Sequence, residues 1–154
     1  ALDKWDLRFK QMARLIAQWS SCYRQGRSIG AVIVKDKRIM TTGYNGAPAG
    51  VTTCRERGEC LRDKLGIASG TRAEICYAIH AEQNAIIQAA KLGISIDGAT
   101  MYCTHQPCSV CAKMIVNVGI KRVVYEQGYP DAFSLEFFRE AGVTLEQHVP
   151  ETTV

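Results

Sequence analysis

No apolar run in the chain approaches the ~20 residues that a helix needs to span a bilayer, and no block of like charge occurs anywhere in it. The first absence argues against a transmembrane helix and a membrane partner. The second argues against the basic tails that hold nucleic acid, and it leaves a formal net charge of only +4. Residues 1–6 (Ala-Leu-Asp-Lys-Trp-Asp) show neither the basic n-region nor the apolar h-region of a signal peptide, so cytoplasmic residence is expected. Repeats and linker-like stretches are also missing, and the chain reads as one domain, 1–154, with one core. A hydrophobic share of 47% and a charged share of 22% set aside disordered and fibrous classes. The mild positive balance suits an anionic ligand such as a phosphate, and equally a solvated surface with a few extra lysines.

Cysteine is in surplus. Seven of them (22, 54, 60, 76, 103, 108 and 111) make an odd count. In a reducing compartment, closely spaced cysteines point to metal ligation rather than to disulfides.

The hydrophobic pattern predicts alternating helices and strands. Leu2, Trp5, Phe9, Met12, Leu15, Ile16 and Trp19 recur at steps of three and four, which predicts an amphipathic helix with those residues on its core face. Ile29–Val34 and Arg38–Gly43 read as strands joined at Lys35-Asp36-Lys37, and Gly43-Tyr44-Asn45-Gly46-Ala47-Pro48-Ala49-Gly50 as a loop. Residues 51–79 are irregular, with a short helix about Cys60–Leu65. Beyond them come a helix over Ala81–Leu92 stopped by Gly93, with Ala81, Ala85, Ile86, Ala89 and Ala90 on its apolar face, and a strand over Ala99–Thr104. A helix over Ser109–Val118, a strand over Lys121–Tyr125, a helix over Ala132–Ala141 and a strand over Val143–Gln147 complete the chain. That order predicts an α/β fold whose partly parallel sheet is opened by an antiparallel hairpin.

Chemistry concentrates in His80-Ala81-Glu82 and Pro107-Cys108-Ser109-Val110-Cys111. Zinc takes tetrahedral nitrogen and sulfur ligands, and a catalytic zinc keeps three from the protein with the fourth position open. Two thiols spaced Cys-x-x-Cys at a helix start can reach one ion, with backbone amides and the helix dipole favouring their thiolates. His80 also opens a helix, and Glu82, two residues on, can touch a water at the open position without being a ligand. A Cys-x-x-Cys alone is also a redox pair or half of a structural zinc site, and a His-x-Glu alone is common by chance. Together and in this order they match the known signature of zinc-dependent nucleobase deaminases. In that chemistry Glu82 takes a proton from water, hydroxide attacks C4 of a cytosine ring, and Glu82 returns protons to the ring nitrogen and the departing ammonia.

Over nearly its whole length the chain resembles the deoxycytidylate (dCMP) deaminases of the cytidine deaminase-like superfamily, bacterial late-competence members included. The resemblance rests on Ile29–Val34, the Gly43–Gly50 loop, His80-Ala81-Glu82-Gln83-Asn84-Ala85-Ile86 and Pro107-Cys108-Ser109-Val110-Cys111-Ala112-Lys113. It implies a five-stranded mixed β-sheet flanked by helices in αβα layers, and a catalytic zinc on His80, Cys108 and Cys111. It further implies that Asn45 hydrogen-bonds the nucleotide at its sugar, although an Asn-Gly pair also simply makes a turn. A 5′-phosphate calls for a cation. The segment Cys22–Ser28 is a residue or two longer than the family's usual Cys-x-Arg, so Arg24 and Arg27 are both candidates. Tyr129 falls where relatives place a substrate-contacting tyrosine, with packing as its other reading. Some phage and bacterial relatives carry a second, structural zinc after the Gly43–Gly50 loop. Cys22, Cys54, Cys60 and Cys76 offer the four thiolates of a closed site, their alternative being buried or free thiols. Cys103 reads as core.

The activity implied is conversion of dCMP to dUMP, feeding thymidylate synthesis. Its alternatives are deamination of another cytosine nucleotide (dCTP or CMP), or a non-catalytic zinc-stabilised binding or competence protein. A polynucleotide substrate is disfavoured by the mild charge and the lack of an aromatic-basic surface. The resemblance also implies a homo-oligomer, hexamer or dimer, with dCTP and dTTP as effectors.

Overall fold

Helix α1 (Lys4–Ala17) is started by Asp3, whose carboxylate accepts from the amides of Trp5 and Asp6 while Asp6 reaches back to the Asp3 amide. The computed structural model describes residues 2–24, 26–68 and 70–150, and α1 covers one face of its five-stranded sheet. Phe9, Ala13 and Ile16 pack there against Val32, Val34, Tyr102 and Val124. Two residues read from sequence as core turn outward instead: Leu15 and Trp19 are exposed. The helix ends at Ala17, so Trp19 lies beyond it, edge-on to Tyr44; Leu15 sits about 100° around the helix from buried Ile16. Charged residues occupy the buried face as well. Asp6 meets Arg122, and Lys10 meets Glu126 and His148.

Strand β1 (Gly30–Lys35) lies antiparallel between β2 (Arg38–Tyr44) and β3 (Thr100–His105). Strands β4 (Arg122–Gln127) and β5 (Thr144–Gln147) extend the sheet in parallel, giving the order β2-β1-β3-β4-β5. Asp36 and Lys37 make the hairpin turn with φ of 52° and 61°, the paired positive values that match strand twist in a two-residue connection. Alternation along the strands divides two cores. Val32, Tyr102 and Val124 face α1, whereas Ile33, Met101, Cys103, Val123 and Tyr125 face the helices opposite. Those helices are α4 (Ala81–Leu92), α5 (Ser109–Asn117) and α6 (Ala132–Glu140). Ala81, Ala85 and Ala89 bring α4 close to the sheet; Ala90, read as part of that face, is exposed. The αβα layering and mixed sheet expected from sequence are therefore present.

Between β2 and α4 the chain forms helices α2 (Cys54–Arg57) and α3 (Leu61–Lys64) and a 3₁₀ turn at Ala73–Ile75. With so few apolar residues, this stretch is held by a helix cap and by backbone bonds to neighbouring segments. Thr53 and Glu56 form a reciprocal cap on α2, Arg55 N–H donates to Ser21 O, and Gly46 and Ile79 exchange backbone bonds of 3.2 and 2.8 Å.

Candidate active site

Two helix N-termini meet at one end of the sheet. His80 is the extended residue preceding α4, and its amide donates to the Gln83 side chain at 3.0 Å. Cys108 stands in the same position before α5, with Cys111 inside the first turn. Strand β3 delivers Cys108 through His105-Gln106-Pro107, and Asp131, the N-cap of α6, fixes the start of α5 by accepting from the Ser109 amide at 2.7 Å. Gln106 donates to the Asp131 carbonyl (3.0 Å) and to Ser134 Oγ (2.9 Å), and accepts from the Tyr129 amide (3.2 Å). The sequence marks Asp131 only as a capping residue before an apolar helix, and nothing in it marks Gln106.

His80 Nδ1 lies 3.3 Å from Cys111 Sγ and 3.6 Å from Cys108 Sγ. Among the described residues this is the one group of three or more His, Cys, Asp or Glu side chains whose ligand atoms all lie within 4.8 Å of one another. The Cys111 thiol, and after it the His80 ring, hydrogen-bonds the Cys108 sulfur and holds its pKa down to about 4. Cys108 in turn raises that of His80, and Cys111, as the donor, is pushed up. One imidazole nitrogen and two sulfurs, one of them a thiolate at neutral pH, are a donor set that fits a three-ligand zinc with an open position. Glu82, 4% exposed, hydrogen-bonds Cys111, and burial raises its carboxyl above the usual range. A carboxyl so placed is positioned to accept and deliver a proton beside the ligand cluster.

A cavity of about 340 Å³ opens onto these groups and is also lined by Arg24, Arg27, Asn45 and Tyr129. The sequence-predicted site residues are therefore brought together, but with different freedom. Arg24 is forked onto Asp63, with Nε 3.1 Å from Oδ2 and Nη2 on Oδ1. Asn45 is a buried latch: its Oδ1 accepts from Ile29 N–H at 2.8 Å and its Nδ2 donates to Arg27 O at 2.6 Å. The Tyr129 hydroxyl lies against Gly70 in the cavity wall, 3.1 Å from where a Cβ on that glycine would sit. His105 and Arg62 also line the cavity, and the sequence marks neither of them. Burial, with Arg27 nearby, lowers the pKa of His105 and keeps its imidazole neutral.

Cys22, Cys60 and Cys76 line the same cavity, and Cys54 is buried beside them. Burial first, and then the neighbouring thiols of the quartet, raise Cys22 and Cys54. The four sulfurs thus gather in one place, although no three of them close to the spacing of the His80 group. Cys103 is core, as read.

The family described as the cytidine and deoxycytidylate deaminase zinc-binding region matches residues 3–127. The chain is 38% identical over 147 residues to the deoxycytidylate deaminase of Schizosaccharomyces pombe, covering 95% of this chain and 44% of that protein. It is 41% identical over 144 residues to ComE operon protein 2 of Bacillus subtilis, covering 93% of this chain and 70% of that one. Among solved structures, the dCMP deaminase of cyanophage S-TIM5 in complex with dCMP and dUMP superposes with a TM-score of 0.77 at 32% identity, covering 96% of this chain and 99% of the other. The chain thus spans less than half the length of the yeast relative and nearly all of the phage one.

Proposed function

Because the chain belongs to the family of cytidine and deoxycytidylate deaminases with a zinc-binding region, we propose that it hydrolyses dCMP to dUMP and ammonia. The observation that carries this reading is Glu82, a buried carboxyl hydrogen-bonded to Cys111 beside the only three-ligand cluster among the described residues. A site that only held a metal for structure has no use for it. His80, Cys108 and Cys111 would hold the zinc, which when bound would supply a water brought to ionisation near neutral pH. Glu82 takes that water's proton onto its carboxylate and passes it to the ring nitrogen next to C4. It then carries the second proton to the departing amino group, so that water and dCMP leave as dUMP and ammonia. The cavity walls keep bulk solvent from the ring, and Asn45 frames the sugar through the segment it latches.

Further parts of the reading have narrower support. The cysteine quartet is a second, structural zinc site; its four gathered thiols and the scarcity of apolar packing over residues 51–79 support that. A homo-oligomer, hexamer or dimer, is supported by the groove of about 440 Å³ along α5 and α6, lined by Lys113, Met114 and Phe137, and by exposed Val110 and Phe133. Control by dCTP and dTTP goes with the same family resemblance. Cytoplasmic residence is supported by seven cysteines of which none is in a disulfide. No helix of the described residues is long and apolar enough to cross a membrane. One sheet with its helices supports reading the chain as one deaminase domain.

The test is ammonia release from dCMP, CMP, dCTP and cytidine by the zinc-loaded protein and by Glu82→Gln. We expect dCMP to be the best substrate and the variant to lose roughly 10²- to 10⁴-fold in kcat with its zinc content unchanged. A zinc-loaded wild type that deaminates none of the four ends the reading.

A further inference from the structure

Arg62, the second residue of α3, lines the wall of the active-site cavity. Its Nε is shut away from solvent and is the one buried side-chain nitrogen or oxygen among the described residues with no hydrogen-bond partner. Folded proteins satisfy buried donors almost without exception, and a guanidinium gains most from an anion that accepts from its planar fork. The acids at hand are engaged elsewhere. Asp63, next in the chain, is gripped by Arg24. Of the two carboxylates lining the cavity, Asp131 binds Ser109 and Ser134, and Glu82 is bonded to Cys111.

We propose that Arg62 receives the 5′-phosphate of the nucleotide and so sets the preference for a nucleotide over a nucleoside. This rests on the dCMP reading above and moves the phosphate contact away from Arg24, whose fork is already filled. Arg62 gives the phosphate the planar pair of donors that its unpartnered Nε begins, from the same cavity that presents the cytosine ring to Glu82.

Two measurements test it. The first is the ratio of kcat/KM on dCMP to that on deoxycytidine, for wild type, Arg62→Gln and Arg62→Lys. The glutamine variant should lose roughly 10- to 100-fold of that ratio, with lysine, a point charge without the fork, in between. An unchanged ratio in a zinc-loaded, folded Arg62→Gln overturns the proposal. The second uses wild type alone and does not depend on turnover: phenylglyoxal labelling of the zinc-loaded protein, read by peptide mass mapping. Inorganic phosphate should shield Arg62 from the reagent, and dCMP should do so where deoxycytidine does not. Labelling of Arg62 that ignores phosphate, or that follows only the zinc content of the cysteine cluster, overturns it. A wild type that shields Arg62 with phosphate yet deaminates nothing removes the dCMP reading and leaves the anion site standing.

Discussion

Gly43 and Ala81 touch backbone to backbone: a Cβ on the glycine would lie 2.1 Å from the Ala81 carbonyl oxygen and 2.6 Å from the Ala85 amide nitrogen. This contact seats the first turn of α4 on β2, and that turn carries His80 and Glu82. Because the obstructing atoms are backbone, a methyl group here cannot be relieved by a rotamer change. Gly43→Ala should cost about 1–3 kcal/mol of stability and reduce zinc retention, read by urea unfolding and by metal analysis after gel filtration. Wild-type values in both would mean that the contact does not position the site.

Asn45 spans Arg27 and Ile29 with both ends of its amide. Asn45→Ala leaves the Ile29 amide and the Arg27 carbonyl without those partners in a partly buried setting, which should cost about 1–3 kcal/mol. Since the same segment walls the cavity, KM for dCMP should rise as well. A rise in KM with no change in unfolding free energy would assign Asn45 to the ligand alone.

Asp6 gives a pH test remote from the chemistry. Its carboxylate accepts from Arg122 Nη1 and Nη2 at 2.7 and 2.9 Å and from the Tyr102 hydroxyl at 2.7 Å. The Arg122 guanidinium holds it well below the usual carboxylate range. A folded-state pKa below the unfolded one stabilises fully above the unfolded value of about 4 and less and less as pH falls from there toward the folded value. Wild type should therefore exceed Asp6→Asn by about 2–3 kcal/mol at pH 7, the gap closing only below about pH 4. Denaturant titrations at pH 7, 5 and 3 read this directly, and a gap that closes between pH 7 and 5 would contradict it.

Metal analysis decides the cysteine quartet. Two zincs per chain are expected for wild type, one for Cys54→Ser, and one for Cys108→Ser. Cys54 is the informative choice because it lies outside the cavity lining, so its loss should remove an ion and destabilise residues 51–79 without touching the reacting groups. A single zinc in wild type would return the quartet to plain thiols.

What the sequence disclosed follows from where local signals are strong. Helix α4 was readable to the residue, because an alanine-rich face runs unbroken from Ala81 and Gly93 closes it in the left-handed region with φ of 67°. The His80, Cys108 and Cys111 cluster, with Glu82 beside it, was legible because fixed spacing on helix starts is itself geometry. Helix α2 was not, since four residues carry no period. The antiparallel pairing of β1 with β3 is a long-range choice that no local pattern records. Arg62 was invisible for a related reason: an arginine among Arg55, Arg57 and Lys64 looks like solvated surface until the fold buries its Nε. Leu15 and Trp19 show the converse, apolar residues in period with a face they do not share.

The hairpin turn at Asp36-Lys37 lies at the far end of β1 and β2 from Ile29 and Asn45, which frame the cavity. Six residues of strand put roughly 20 Å between the two ends. The molecule therefore offers a handle: a fluorophore, affinity tag or inserted peptide grafted between Asp36 and Lys37 would travel with the rigid sheet while leaving the cavity mouth clear. Immobilised through that point, the protein would present its cavity to solution.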